Sequence, residues 1–177
     1  MSDIVALRAA VAAREPVDQR EAESIARFLA ETERLSDPFN EHADPVHVTA
    51  SAIVVGPRGI VLHLHKRLGL WLQPGGHIEQ QPDGRWETPW EGALREAQEE
   101  TGLPAHFGAD TPVLAHIDVH PGPKGHTHLD TRYVVYADGD PAPLVGESRE
   151  VHWFAWDEAI ALADPGLSGA LRALRPA

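Results

Sequence analysis

One predicted helix, spanning about residues 89–101, most restricts what this chain can fold into. Small and apolar side chains recur along it at helical spacing, and Gly102 is a typical residue for ending a helix. Three carboxylates lie three or four positions apart on this helix and therefore share one face: Glu96, Glu99 and Glu100. Like charges this close destabilise a helix unless a positive charge lies beside them.

Two interpretations of this acidic face remain open. In the first, the helix is solvated and Arg95, four positions before Glu99, pairs with it. In the second, a cation binds there, and the preceding glycine pair Gly75 and Gly76 lets the backbone approach it closely. Carboxylates and backbone carbonyls are the hard oxygen ligands that suit Mg²⁺ or Mn²⁺. A divalent ion would relieve the repulsion and attract a phosphate substrate.

The segments around this helix alternate in the manner of strands. Residues 46–55 and 60–67 flank a Gly-Pro-Arg-Gly turn and predict a β-hairpin, and two further strands are expected at 112–120 and 128–137. A short strand follows at about 149–156, and Asp157 is expected to cap a final helical region. Strands mixed with a few helices predict an α/β or α+β sandwich, with a mixed β-sheet flanked by helices.

The sequence predicts that the first 45 residues form a helical extension and that residues 46–177 form the main domain. Two helices are expected between residues 3 and 36, with Asp18 as the cap of the second. The apolar stripe of the second helix must pack either on the main domain or on a partner subunit, and we expect it to support a homodimer.

Composition excludes several classes of function. The formal net charge of -12 argues against broad nucleic-acid binding. The chain has no cysteine, which excludes thiolate chemistry and fits a cytoplasmic location. No apolar stretch approaches the roughly 20 residues that span a bilayer, and no signal peptide is expected.

Histidines concentrate on two of the predicted strands. If these strands form a hairpin with His120 opposite His126, alternate residues make one polar strip, which would be either a solvent-facing surface or a wall of a substrate site. In the second case the side chains would contact phosphate or base, or bind an extra metal. The members of the strip are His116, Asp118, His120, His126, His128, Asp130 and Arg132. His77 adjoins the glycine pair and is well placed to meet a substrate, whereas His63 and His65 are expected at the surface.

The sequence resembles the Nudix hydrolases. The stretch "REAQEETGL", from Arg95 to Leu103, matches the end of their signature, and Glu87 precedes Arg95 by the seven residues that the signature requires. Between Gly76 and Glu87, however, ten residues stand where the family has five. We interpret residues 81–85, "QPDGR", as the core of a loop insertion. This family resemblance extends over roughly residues 47–165. Residues 48–55, residues 66–79 and the N-terminal helices look similar to a subgroup that includes nucleoside-diphosphate-sugar pyrophosphatases.

This resemblance implies a Nudix-type sandwich and roles for particular residues. Glu96, Glu99 and Glu100 would bind Mg²⁺ or Mn²⁺, helped by a carbonyl of Gly75 or Gly76, and Arg95 would orient the glutamates. Metal-activated water would attack one phosphorus of a diphosphate. The carboxylate that takes the water's proton would be either a glutamate of the helix or one from a later loop, for which Glu147 and Glu150 are the candidates. The substrate-binding candidates are His77, His126, His128, Asp130 and Arg132.

The implied activity is metal-dependent hydrolysis of a nucleoside diphosphate linked to another group, such as an NDP-sugar or an ADP-ribose-like compound. Two alternatives remain. The first is hydrolysis of nucleoside triphosphates, dinucleoside polyphosphates or RNA 5′ ends. The second is a non-catalytic nucleotide-binding module on the same fold, which the complete set of metal carboxylates argues against.

Overall fold

A computed structural model describes residues 3–66, 68–143 and 150–176. Its helices are α1 (Asp3–Ala12), α2 (Gln19–Arg34), α3 (Pro89–Thr101), α4 (Trp156–Leu162) and α5 (Pro165–Leu174). Its strands are β1 (Val46–Gly56), β2 (Gly59–Leu64), β3 (Trp71–Leu72), β4 (Gly75–His77), β5 (Val113–Pro121), β6 (Thr127–Tyr136) and β7 (Val151–Phe154). The prediction of a mixed sheet flanked by helices is confirmed. No helix among the described residues is both long and apolar enough to cross a bilayer.

The strands form a sheet in the order β3-β2-β1-β6-β5, with β4 paired to β1 and β7 paired to β2. β1 and β6 run parallel, whereas the other pairs are antiparallel. β1 therefore lies at the centre of the sheet. Along one edge it pairs with β2 near Gly56 and with β4 near Ala50, so the predicted β1–β2 hairpin is confirmed and β4 lies beside the first half of β1.

The two faces of the sheet carry separate apolar cores because side chains alternate along each strand. On one face Val48, Ala50 and Val54 of β1 pack in a core that also contains residues of α1, α2 and α3. On the other face Ile53 packs in a core that contains residues of α5. The position of a side chain on its strand thus decides whether it lies on the side of α3 or on the side of α5.

The N-terminal helices cover the free edge of β5. Asp18 caps α2 as predicted, accepting a hydrogen bond from the backbone of Glu21 at 2.8 Å. Glu21 in turn accepts a hydrogen bond from the backbone N–H of Ile117, and Ser24 accepts one from that of Val119. An unpaired strand edge invites aggregation, so these side chains protect it. The extension therefore packs on the main domain.

Two local predictions need correction. Asp157 lies inside the first turn of α4, whose N-cap is Ala155, and it is Asp164 that caps α5. The histidine hairpin is paired two residues out of the expected register, with His120 opposite His128. The reason is that β5 continues through Pro121, so the turn begins one residue later. A shift of two keeps the same side chains on one face.

Candidate functional site

The glutamate helix is fixed at both ends by its own sequence. Thr88 and Glu91 form a reciprocal capping box at the start of α3, and Pro89 occupies its first turn. Gly102 ends the helix in a left-handed conformation, with φ of 66°. The bounds of α3 agree with the prediction.

Arg95 is the centre of a carboxylate cluster beside this helix. Its guanidinium bonds Glu87 at 2.7 Å, Glu96 at 2.7 Å and Glu99 at 3.2 Å. It also donates to the carbonyl oxygen of His77 at 2.9 Å. Burial opposes the charge on Arg95, but its ion pairs with Glu87 and Glu96 raise its pKa above the usual range. Arg95 therefore stays charged and holds the glutamates to β4.

The glycine pair lies against two of the glutamates. A Cβ atom on Gly76 would lie 2.4 Å from Oε1 of Glu96, so only glycine lets this carboxylate approach the backbone. The backbone N–H of Gly75 donates to Oε2 of Glu100 at 3.0 Å. The structure thus brings the glycines and the carboxylates together.

The insertion forms a closed turn of its own. Gln81 donates through its backbone N–H to the carbonyl of Arg85 at 2.7 Å, and the Arg85 side chain pairs with Glu91 at 2.9 Å. Glu87, which follows, is 2% exposed and accepts a hydrogen bond from the backbone of Glu79. The extra residues consequently leave Glu87 beside Arg95.

The electrostatics of the cluster favour a cation. Burial raises the pKa of Glu96, and the negative charges of Glu99 and Glu87 add to this, although Arg95 acts in the opposite direction. The donor set consists of carboxylates and backbone, which suits Mg²⁺ or Mn²⁺. Arg95 bonds both Glu96 and Glu99 here, so one guanidinium compensates charges that a metal ion would also compensate.

A cleft of about 430 Å³ opens beside this cluster. Its walls include residues 40–42 from the N-terminal extension, residues 76–80, Trp86 and Glu96. The sequence predicted that the extension packs against the domain or a partner. Nothing in the sequence indicated that residues 40–42 would form part of this wall. The cleft can hold a small molecule next to the carboxylates.

His63 was expected at the surface, and this expectation is corrected. It is 4% exposed, and its Nδ1 lies 3.5 Å from Oε1 of Glu100. Burial lowers the pKa of His63 to about 4, so the ring is neutral at physiological pH. The strand alternation of β2 carries this signal, because His63 is two residues from buried Val61 and shares its face.

The predicted strip on β5 and β6 is mostly buried. Four of its members are at most 3% exposed: His116, Asp118, Asp130 and Arg132. Arg132 bonds Asp118 and Asp130, each at 3.1 Å, and Arg20 of α2 bonds Asp118 at 2.9 Å. At the face predicted as a substrate wall, Arg20 of α2 and Gly166 of α5 lie against Asp118. Asp130 and Arg132 are therefore not accessible to a substrate in this structure.

Three histidines from three strands meet at one end of this strip. His47 of β1 pairs in register with His128 of β6, and His77 of β4 lies opposite Thr49 of β1. One ring nitrogen from each of these imidazoles lies within 4.8 Å of the other two. This is the only such set of three among the described residues. His126 lies nearby, with its ring centroid 5.1 Å from that of His47.

Sequence reasoning missed His47, and it did not foresee the meeting of these three rings. The parallel pairing of β1 with β6, which brings His47 beside His128, joins segments about 80 residues apart and has no local signal. Burial lowers the pKa of all three, that of His128 to about 4. These rings are neutral at physiological pH.

The structure describes one of the two candidate proton acceptors. Glu147 falls outside the described residues. Glu150 is exposed, and its backbone carbonyl accepts a hydrogen bond from Leu64 at 2.8 Å.

This chain is similar in sequence and fold to several known proteins. A family model for the NUDIX domain matches residues 45–174. A NUDIX-family hydrolase from Clostridium perfringens superposes with a TM-score of 0.56 at 26% identity, covering 73% of this chain and 98% of that one. An Ap4A hydrolase from C. elegans superposes with a TM-score of 0.58 at 20% identity, covering 72% and 93% respectively, and this likeness concerns the fold alone.

Proposed function

The chain belongs to the NUDIX family and is a Nudix pyrophosphohydrolase acting on nucleoside diphosphate derivatives, and on that premise we propose that its substrate is a nucleoside diphosphate joined to a sugar or an ADP-ribose-like group. The observation that carries the proposal is the carboxylate cluster of α3 against Gly75 and Gly76, at the wall of a cleft. The resemblance of the N-terminal helices to those of the NDP-sugar pyrophosphatases supports the choice of substrate.

Nudix enzymes require a divalent metal, and the residues here fit Mg²⁺ or Mn²⁺. Glu96, Glu99 and Glu100 would hold it, with a carbonyl of Gly75 or Gly76 as an additional oxygen donor. When bound, the metal neutralises the diphosphate and lowers the pKa of a water molecule that attacks phosphorus.

The chain's own residues prepare this site. Arg95 fixes the directions of Glu96 and Glu99 and stays charged because Glu87 pairs with its other side. Glu87 is buried and accepts hydrogen bonds from Arg95 and Glu79, so we assign it a positioning role. We propose Glu147 as the carboxylate that takes the proton of the attacking water, with Glu150 as the alternative.

We propose that the substrate's second half meets His77 and His126. His77 lines the cleft, and His126 is partly exposed. For Asp130 and Arg132 we propose a structural role instead, because both are at most 3% exposed and their charges already compensate each other. His128 is partly exposed, and its ring faces those of His47 and His77.

A substrate panel tests this proposal. UDP-glucose and ADP-ribose should be hydrolysed to a nucleoside monophosphate and a sugar phosphate with Mg²⁺ or Mn²⁺, and EDTA should abolish the reaction. Preferred hydrolysis of nucleoside triphosphates, diadenosine tetraphosphate or 5′-triphosphate RNA would replace the proposed substrate with another. Nucleotide binding without hydrolysis would instead indicate a binding module.

We also propose that residues 1–45 form an extension that supports a homodimer, with residues 46–177 as the catalytic domain. Leu7, Val11 and Phe28 of the extension are at most 3% exposed and belong to the core of the domain. Deleting residues 1–40 should therefore lower the melting temperature and change the mass measured by light scattering. An unchanged melting temperature with a mass loss equal to the deleted residues would contradict both parts of this proposal.

A further inference from the structure

The three clustered histidines lie on the opposite face of the sheet from the glutamates. Gly76 points toward Glu96, and His77, the next residue of β4, points the other way because side chains alternate along a strand. On that second face the rings of His47 and His128 lie 5.2 Å from each other, and the ring of His77 lies 5.1 and 5.4 Å from theirs. The cluster thus lies across the sheet from the catalytic carboxylates, and His77, which also lines the cleft, is the residue that connects the two.

One nitrogen of each of these three rings has no hydrogen-bond partner. Nε2 of His47, of His77 and of His128 is buried in each case, and none makes a hydrogen bond within the protein. A buried polar atom without a partner costs about 1–3 kcal/mol, and three in one place are rare in native proteins. Such a group of atoms indicates that a ligand binds there.

The tautomer of the His47 ring is set by a hydrogen bond on the side that faces away from the cluster. Nδ1 of His47 lies 3.2 Å from the carbonyl oxygen of Asp44, which can only accept, so Nδ1 must carry the proton. The other nitrogen, Nε2, therefore presents its lone pair to the cluster. A backbone carbonyl that holds the far nitrogen in this way is the usual support of a histidine that binds a metal.

A fourth donor is close. Oε2 of Glu41, at the rim of the cleft, lies 3.3 Å from Nε2 of His77 without the geometry of a hydrogen bond. Three imidazoles and one carboxylate or water are a tetrahedral set of the kind that binds Zn²⁺. Imidazole nitrogen prefers Zn²⁺, Co²⁺, Ni²⁺ or Cu²⁺ to Mg²⁺ or Ca²⁺.

We propose that His47, His77 and His128 bind a transition-metal ion of the Zn²⁺ type, distinct from the ion at the glutamates, with Glu41 or water as its fourth ligand. The ion joins β1, β4 and β6. β4 is three residues long and pairs with β1. Fixing His77 therefore fixes the strand that presents Gly75 and Gly76 to the glutamates, and Glu41 would connect the same ion to the rim of the cleft.

Metal content measured on tag-free protein tests this proposal. After incubation with Zn²⁺ in excess Mg²⁺ and removal of free metal, the wild type should retain about one zinc per chain. His47→Ala and His128→Ala should each lose this zinc. His106→Ala is the matched control, because His106 is exposed and lies outside the cluster, and it should retain the ion.

Two further measurements separate this site from the glutamates. Glu99→Gln removes a carboxylate of the catalytic cluster and should keep the zinc. Co²⁺ in place of zinc should give the strong visible absorption of tetrahedral nitrogen coordination in the wild type and in Glu99→Gln, and not in His128→Ala. If a histidine variant fails to fold, the cobalt spectrum of the wild type and an anomalous zinc peak between the three Nε2 atoms decide the matter.

Zinc content that is unchanged in both folded histidine variants, or a wild type that retains no zinc and shows no tetrahedral cobalt spectrum, would overturn the proposal. The second result would mean that water occupies the space between the rings. Neither result bears on hydrolysis of the nucleotide panel, so the proposed activity stands or fails separately.

Discussion

The two faces of the sheet carry opposite chemistry across a single short strand. On the side of α3, the environment of Gly76 is made of carboxylates held by Arg95. On the other side, His77 lies beside the imidazoles of His47 and His128, with the carboxylate of Glu41 at 3.3 Å. The first set attracts a hard cation and, through it, a phosphate, whereas the second suits a borderline metal.

The two faces differ in what stabilises their polar groups. The carboxylate face is charged and partly open, with Glu99 44% exposed, so water and Arg95 can stabilise it without a ligand. The imidazole cluster keeps three nitrogens buried without partners. We infer that the first face is built to exchange a ligand during turnover and the second to retain one.

The largest expected effect concerns the carboxylate face. Glu99→Gln and Glu100→Gln each remove one oxygen donor's charge from the proposed metal site, and each should reduce turnover by at least ~100-fold, or about 2.7 kcal/mol. Steady-state kinetics with the best substrate of the panel measures this. The fold and the zinc content of the imidazole face should not change.

Glu158→Gln is the matched control for these variants, because Glu158 is exposed in the first turn of α4. It should retain wild-type turnover. Near-normal activity in both Glu99→Gln and Glu100→Gln would remove these residues from the site.

A smaller effect is expected on the pH dependence of folding stability, through a buried histidine on the face opposite α3. His116 is buried, and Arg132 contacts its Nδ1 at 3.4 Å. Burial and then the charge of Arg132 lower its pKa to about 4 from 6.5, while Glu21 and Asp118 act in the opposite direction. The folded state therefore resists the proton that the unfolded state accepts, so stability is complete above about pH 6.5 and falls as pH falls toward 4.

This loss should be roughly 2 kcal/mol between about pH 7.5 and 5. Denaturant unfolding of the wild type and of His116→Asn across this range measures it, because subtracting the two profiles cancels the other groups. Equal slopes in the two proteins would show that His116 does not titrate differently in the folded state.

The features that the sequence predicted well are those set by neighbouring residues. The bounds of α3 follow from Gly102 and from Pro89 in its first turn, and the cap of α2 follows from Asp18. The hydrogen bonds of Arg95 to both Glu87 and Glu99 follow from helical spacing and the family signature.

The features that it did not predict depend on distant pairing. Whether Arg132 is exposed or buried depends on which distant elements cover its face of the sheet, and a strand pattern shows only which residues share a face. The cluster of His47, His77 and His128 depends on the order of strands in the sheet. The register of the histidine hairpin depended on the position of its turn, and an error of one residue there changed every pair.

The smallest expected effect separates the faces within one strand. In Gly76→Ala the added methyl would lie 2.4 Å from Oε1 of Glu96, which is the end of a flexible side chain and can move away. Because the carboxylate moves and the strand stays, turnover should fall by about tenfold, or 1.4 kcal/mol, with little change in melting temperature. His77 points to the other face, so zinc content should equal that of the wild type. Kinetics and metal analysis of the same preparation measure both quantities. A parallel loss of zinc would mean that β4 moves as a whole, and the two faces would then form one coupled site rather than two.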